Sequence, residues 1–169
     1  NNQLVIDNSQ ANTVYVRVVN SGKLPLGEEI AEKRNLAISV VYKNSKGTKI
    51  DVSKLTQGTD FTASITISNL KSNYVNDIAL TEIFPSGWEI VNTRFTDFGG
   101  SATASNFTDI RDDRVNFYFD LGSQKSKTFE VKLNASYLGK YYLYGVRAEA
   151  MYDNDYFVRT QGQWIEVVK

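Results

Sequence analysis

Residues 61–68 put Phe61, Ala63, Ile65 and Ile67 on one side of an extended chain and Thr62, Ser64, Thr66 and Ser68 on the other. A period of two is what a half-buried strand needs, because successive side chains of a strand point to opposite faces. The pattern returns at 115–121, where Val115, Phe117, Phe119 and Leu121 alternate with polar residues and Tyr118, and at 129–135 through Phe129, Val131, Leu133 and Ala135. A chain dominated by this period folds as sheets. Gly122-Ser123-Gln124-Lys125 and Leu138-Gly139-Lys140 supply turns around the third run, ahead of a long run from 141 to 152, so three successive antiparallel strands are predicted. Further strand candidates are 13–19, 36–42, 77–84, 88–95 and 163–168. About eight short strands at hairpin spacing predict an all-β fold, an antiparallel β-sandwich of immunoglobulin or fibronectin type. Its core should contain Phe61, Ile65, Ile67, Val115, Phe117, Phe119, Phe129, Val131 and Leu133, with Ser64 on the solvent face. Asp153, Asn154 and Asp155 are expected at a hairpin tip.

Only residues 27–34 carry a helical hint, two turns at most, and they read as a connector. A boundary near residue 34 follows: 1–34 as N-terminal strands and connector, 35–169 as the main sandwich. Residues 96–113, with Gly99-Gly100 and a serine-rich stretch, read as a long surface loop.

Composition narrows the function. Nineteen basic and nineteen acidic residues cancel, which leaves no positive field for nucleic acid or an anionic membrane surface. There is no His and no Cys. The commonest general base, the commonest transition-metal ligand and any thiol nucleophile are therefore missing. No apolar run approaches the roughly 20 residues of a membrane-spanning helix. The polar start Asn1-Asn2-Gln3 is not a signal peptide, and the sequence reads as a mature, soluble piece of a longer chain.

No nucleophile elbow, phosphate loop or metalloprotease helix can be written from these letters. Ser68-Asn69-Leu70-Lys71 matches S-x-x-K, yet Ser68 ends a strand, where the two side chains would not meet. Asp109, Asp112 and Asp113, and again Asp153 and Asp155, could offer oxygen ligands to Ca²⁺. They lack the spacing of a calcium loop, and Arg111 and Arg114 flank the first group, so turn-forming roles are the better reading. Glu28 and Glu29 are adjacent and point apart, which rules them out as a glycosidase pair. Trp88, Trp164 and Tyr141, Tyr142, Tyr144, Tyr152 and Tyr156 leave a second reading open, a carbohydrate-binding or adhesive module with rings on one sheet face. Asn106-Phe107-Thr108 and Asn134-Ala135-Ser136 are glycosylation sequons, relevant only in a secreted eukaryotic chain. Catalytic, cofactor and metal residues are thus expected to be absent.

Several stretches resemble the C-terminal part of bacterial alpha-2-macroglobulins. They are Asp109-Ile110-Arg111-Asp112-Asp113-Arg114-Val115, Gly139-Lys140-Tyr141-Tyr142-Leu143 and Ala148-Glu149-Ala150-Met151-Tyr152-Asp153 leading to Thr160-Gln161-Gly162. Upstream, Gly58-Thr59-Asp60-Phe61 and Ile83-Phe84-Pro85-Ser86-Gly87-Trp88-Glu89-Ile90 fit the same pattern. The resemblance spans most of the chain, and its most specific element is the Ala-Glu-Ala-Met-Tyr-Asp stretch. One departure is Leu143-Tyr144-Gly145-Val146, where the family's run leads one to expect a proline.

The resemblance implies the last macroglobulin domain of a large protease-trapping protein of the cell envelope, in the periplasm or on the surface, with a lipid anchor on the parent. Residues 1–34 would then finish a preceding CUB-like domain. The implied partners are neighbouring domains of the parent chain and, through the full-length parent, endoproteases, with no nucleic acid and no direct membrane insertion. The family's thioester needs a Cys, so that bond would lie elsewhere in the parent or be missing from it.

Overall fold

A computed structural model describes residues 4–19, 21–22, 24–91 and 105–169. Thirteen strands run through them: β1 (Glu32–Arg34), β2 (Leu36–Asn44), β3 (Lys54–Thr56), β4 (Asp60–Asn69), β5 (Val75–Ile83), β6 (Trp88–Ile90), β7 (Phe107–Ile110), β8 (Arg114–Leu121), β9 (Ser126–Ala135), β10 (Gly139–Leu143), β11 (Arg147–Ala150), β12 (Asp153–Arg159) and β13 (Gln163–Val168). They form a six-stranded sheet in the order β1-β12-β11-β5-β8-β7, a four-stranded sheet β2-β4-β9-β6 and a three-stranded sheet β10-β13-β3. All pairs are antiparallel except β13 with β3. The all-β sandwich read from the alternation is the observed class.

The register explains the core. In the four-stranded sheet Ile65 stands opposite Val40 on one side and Phe129 on the other, and Phe61 opposite Leu133. In the six-stranded sheet Leu80 opposes Phe117 and Ile78 opposes Phe119. These inner faces meet across the sandwich, with the Phe129 ring 4.8 Å from Phe117 and 4.6 Å from Phe119. Every one of the nine expected core residues is buried.

Several expectations are corrected. Ser64 does face outward from β4, but it is buried and not solvent-exposed. It sits mid-strand in β4, flanked on both sides by β2 and β9, and Lys43 Nζ reaches its Oγ at 3.4 Å while also lying 3.9 Å from Glu130. Long charged side chains from the neighbouring strands roof a small central one. Residues 13–19 form no strand and are exposed. Residues 27–34 form no helix: Glu28 N–H closes a turn on Pro25 O at 3.1 Å, and β1 then pairs with β12. Of 88–95 only Trp88–Ile90 is strand, and 92–95 lie outside the described residues. The 96–113 stretch is not all loop, since β7 pairs with β8; its residues 96–104 lie outside the described ones.

The run 141–152 is two strands in different sheets. Between them Gly145 passes so close to the Thr160 carbonyl that a Cβ would lie 1.9 Å from its oxygen, an approach that only glycine allows. The turn of the next hairpin is Met151-Tyr152, and Asp153–Asp155 already belong to β12. Nor do 115–121, 129–135 and 141–152 pair in succession. β8 is in the six-stranded sheet, β9 in the four-stranded and β10 in the three-stranded one. A connection of a few residues serves an arch between sheets as well as a hairpin, so spacing alone does not choose the partner.

One core position is chemically out of place. Glu82 shares the inner face of β5 with Ile78 and Leu80, is fully buried, and neither carboxylate oxygen has a hydrogen-bond partner. Burial pushes its carboxyl from 4.5 up to about 8. Tyr42, on β2, feels it: burial first and the Glu82 charge second push that phenol well above its ordinary range. Arg114, opposite Ile83 in the ladder, is bound instead to Asp113 at 2.6 Å. Nothing cationic compensates Glu82 among these neighbours.

Two outcomes follow for stability. Phe117→Ala should cost about 3–5 kcal/mol in denaturant unfolding, as loss of a buried ring does. Ser68→Ala, whose hydroxyl only meets Ser126 Oγ at 2.7 Å on the exposed face, should stay within about 0.5 kcal/mol. Glu82 supplies a pH signature. The native state keeps its proton up to about 8 while the unfolded chain loses it near 4.5, so the favourable term is complete below 4.5 and absent above 8. Across that window stability should fall by about 1.4 kcal/mol per pH unit from this group. Urea titrations of Glu82→Gln should lack that slope; parallel curves for the two proteins would show that Glu82 does not titrate in the core.

Candidate interaction surface

Among the described residues, the chemistry-bearing side chains named from the sequence meet local partners. Ser68 is on β4 with its hydroxyl on Ser126, and Lys71 follows in an exposed turn. Asp109 accepts from Arg111 Nε at 2.9 Å and from Asn116 Nδ2 at 3.3 Å, while Asp113 holds Arg114 through two hydrogen bonds. The Arg114 contact holds the Asp113 carboxyl below the usual range. Asp153 Oδ1 accepts the Asp155 N–H at 3.0 Å, a local turn bond at the start of β12. Among the described residues no three acidic side chains converge on a point where a metal would sit. The sequon amides are both engaged, Asn106 with Asp120 and Asn134 with Asp60.

The aromatic residues divide. Trp88 and Tyr156 are buried, and the Trp88 ring stands edge-on to Phe61 at 4.8 Å, interplanar angle 77°. Tyr142, Tyr144 and Trp164 cluster on the outer face of the β10–β13 pair, with Tyr142 5.2 Å from Tyr144 at 89° and 5.3 Å from Trp164 at 68°. Rings this close to perpendicular make no flat platform for a sugar. They pack edge to face, and Lys140 Nζ sits 5.4 Å over Trp164.

The chain upstream crosses this cluster. Gly27 has positive φ and runs beside the Trp164 indole, and its N–H donates to Glu29 Oε2 at 3.1 Å. Tyr142 Oη donates a short hydrogen bond to the same carboxylate oxygen. That bond holds Glu29 below the ordinary carboxylate range, while burial and the bond to Glu29 both raise Tyr142. Arg159, on β12, then donates Nε and Nη2 to the Ile30 carbonyl at 3.2 and 2.9 Å. Glu28, adjacent to Glu29, is exposed. Sequence reading found neither contact, because Glu29 and Tyr142 are 113 positions apart and no local pattern joins them.

What remains is apolar surface left uncovered. Val14, Tyr15, Val16, Val18 and Val19 are all exposed, Tyr15 by 93%. Leu24, Leu26 and Ile30 join them, and at the β11–β12 turn Met151 and Tyr152 project, Tyr152 by 86%. Single exposed apolar residues are ordinary, whereas five within the six positions 14–19 make a candidate contact surface. Among the described residues no helix is long and apolar enough to cross a membrane.

Comparison with known proteins places this architecture. A native alpha-2-macroglobulin structure from Escherichia coli, spanning domain MG7 to the C-terminus, superposes with a TM-score of 0.76 at 17% identity, covering 86% of this chain and 25% of that one. Salmonella alpha-2-macroglobulin reacted with methylamine gives 0.74 at 18% identity, covering 83% of this chain and 10% of that one. At such identity these likenesses speak for the fold. Circularly permutated Ras protein 2 of Dictyostelium discoideum is 29% identical over 109 residues, 64% of this chain, which spans only 3% of that protein. The family model for the bacterial alpha-2-macroglobulin MG10 domain matches residues 36–155, well over half the chain. The sandwich described above, from β2 to the start of β12, therefore belongs to the bacterial alpha-2-macroglobulin MG10 domain family.

Proposed function

We propose that this chain is a non-catalytic structural and interaction domain of an alpha-2-macroglobulin-like protein that traps endoproteases. The carrying observation is the exposed apolar run between Val14 and Val19 on a domain whose relatives are parts of much longer chains. In this reading residues 1–34 complete a preceding CUB-like domain, and their last residues, β1, also pair onto β12 of the sandwich. Val14, Val16 and Val18 have the spacing of one strand face, so the segment adds to a sheet edge of its neighbour and hides there the apolar surface it shows here. The Met151-Tyr152 turn and the Trp164 face are further points of contact with neighbouring domains. The parent works outside the cytoplasm, in the periplasm or at the cell surface, held by a lipid anchor.

The lack of His and Cys, and the pairing of Asp109 and Asp113 with arginines, support a domain without chemistry of its own. Protease trapping needs a cleavable segment and a second global state, and a single closed sandwich has no evident second packing to reach. Incubating the chain in stoichiometric excess with a panel of endoproteases should leave their activity on a protein substrate unchanged. Inhibition that survives dilution would overturn the reading.

A further inference from the structure

Residues 24–31 differ from the coil before them in one respect: they are tied down. Among the described residues from 4 to 34, Glu29 alone is partly buried and the others are exposed. Its carboxylate accepts from the Tyr142 hydroxyl on β10 and from the Gly27 N–H, and one residue later the Ile30 carbonyl takes both Arg159 donors from β12. β10 and β12 belong to different sheets, so the two ties clamp the segment across the seam between the three-stranded and six-stranded sheets.

The seam is shaped to receive it. At Gly162, leading into β13, a Cβ would lie 2.3 Å from Tyr142 Oη, so only a glycine lets the phenol lie where Glu29 meets it. Gly27 is the matching feature on the other side: its φ of +93° is open to glycine and turns the chain over the indole of Trp164. The Arg159 backbone, meanwhile, pairs with Glu32, so the clamp runs directly into β1.

We propose that residues 24–31 are a latched strap, in which Glu29 on Tyr142 and Ile30 on Arg159 fix the direction in which the N-terminal segment leaves the sandwich. The inference goes beyond the interdomain role proposed above and rests on contacts within this chain alone. A charge-assisted bond and a doubly donated carbonyl are directional, and both lie outside the apolar core. The strap can therefore open while the sandwich stays folded, as locally held segments do.

The test uses the chain of 169 residues and three variants, Glu29→Ala, Tyr142→Phe and the pair. Amide hydrogen exchange of residues 24–31 should be slower than that of 4–19 in the parent sequence and should quicken by roughly fivefold in each single variant, the factor carried by the net loss of one hydrogen bond. The double variant should be no faster than Glu29→Ala alone, because both substitutions remove the same Glu29–Tyr142 contact. Trp164 should become more accessible to acrylamide, while buried Trp88 and the unfolding midpoint stay unchanged. Equal exchange of 24–31 and 4–19 in the unsubstituted chain would overturn the proposal. So would additive effects in the pair, or a Glu29→Ala protein that exchanges like its parent. Since no protease or neighbouring domain enters the measurement, its failure leaves the interdomain reading standing.

Discussion

The inner faces of the sandwich meet at Phe129. Its ring touches Phe117 and Phe119, which come from the opposite sheet, and around these three pack Ile65, Ile67, Leu80 and Leu133 at essentially zero exposure. Each buried side chain of this kind contributes on the order of 1.5–3 kcal/mol. The contact also fixes register, since a slip of one residue in β9 would turn Phe129, Val131 and Leu133 outward together. Everything at the periphery, including the seam where the strap lies, is positioned by that stacking.

With only β7/β8 and β11/β12 pairing as consecutive strands, most connections must carry the chain from one sheet to another. Two points show how the backbone does this. Asn35 takes a φ of 54° between β1 and β2, and its side-chain amide donates to the Asp155 carbonyl at 3.0 Å, so one residue sends the chain from the six-stranded into the four-stranded sheet. Asparagine accepts that conformation more readily than most residues. Gly145 does the same between the three-stranded and six-stranded sheets by letting the backbone pass under Thr160 O. The Val146 N–H then finds the Thr160 hydroxyl at 2.9 Å, which keeps the crossing satisfied.

The core was legible in the sequence because its signal is local: a period of two names the buried face whatever the partner strand. Ser64 was not, since alternation reports chemical type and not what lies above a central strand, here Lys43 and Glu130. Strand partners were invisible for a related reason, because Gly122–Lys125 reads as a hairpin turn although it bridges two sheets. Glu82 is a different case. It falls in phase with Ile78 and Leu80, so a carboxylate on the apolar face of 77–84 was there to be read. The tie between Glu29 and Tyr142 left no such trace, and only tertiary structure brings them together.

The exposed segment and the strap are linked by an entropic argument. Ordering one residue of free chain costs roughly 1–2 kcal/mol, so a seven-residue segment such as 13–19 cannot hold itself extended without a sheet edge to receive it. On the proposed reading that edge belongs to a neighbour, and the chain must present the segment at the right angle. A tether that swings freely would spend part of the docking energy on orientation. Clamping the chain at Glu29 and Ile30, ahead of β1, removes that freedom before the neighbour is met, and it does so without touching the Phe129 core. Rigidity at the point of entry and incompleteness further out are then one arrangement: the sandwich supplies the direction, and the neighbour supplies the missing strand partner.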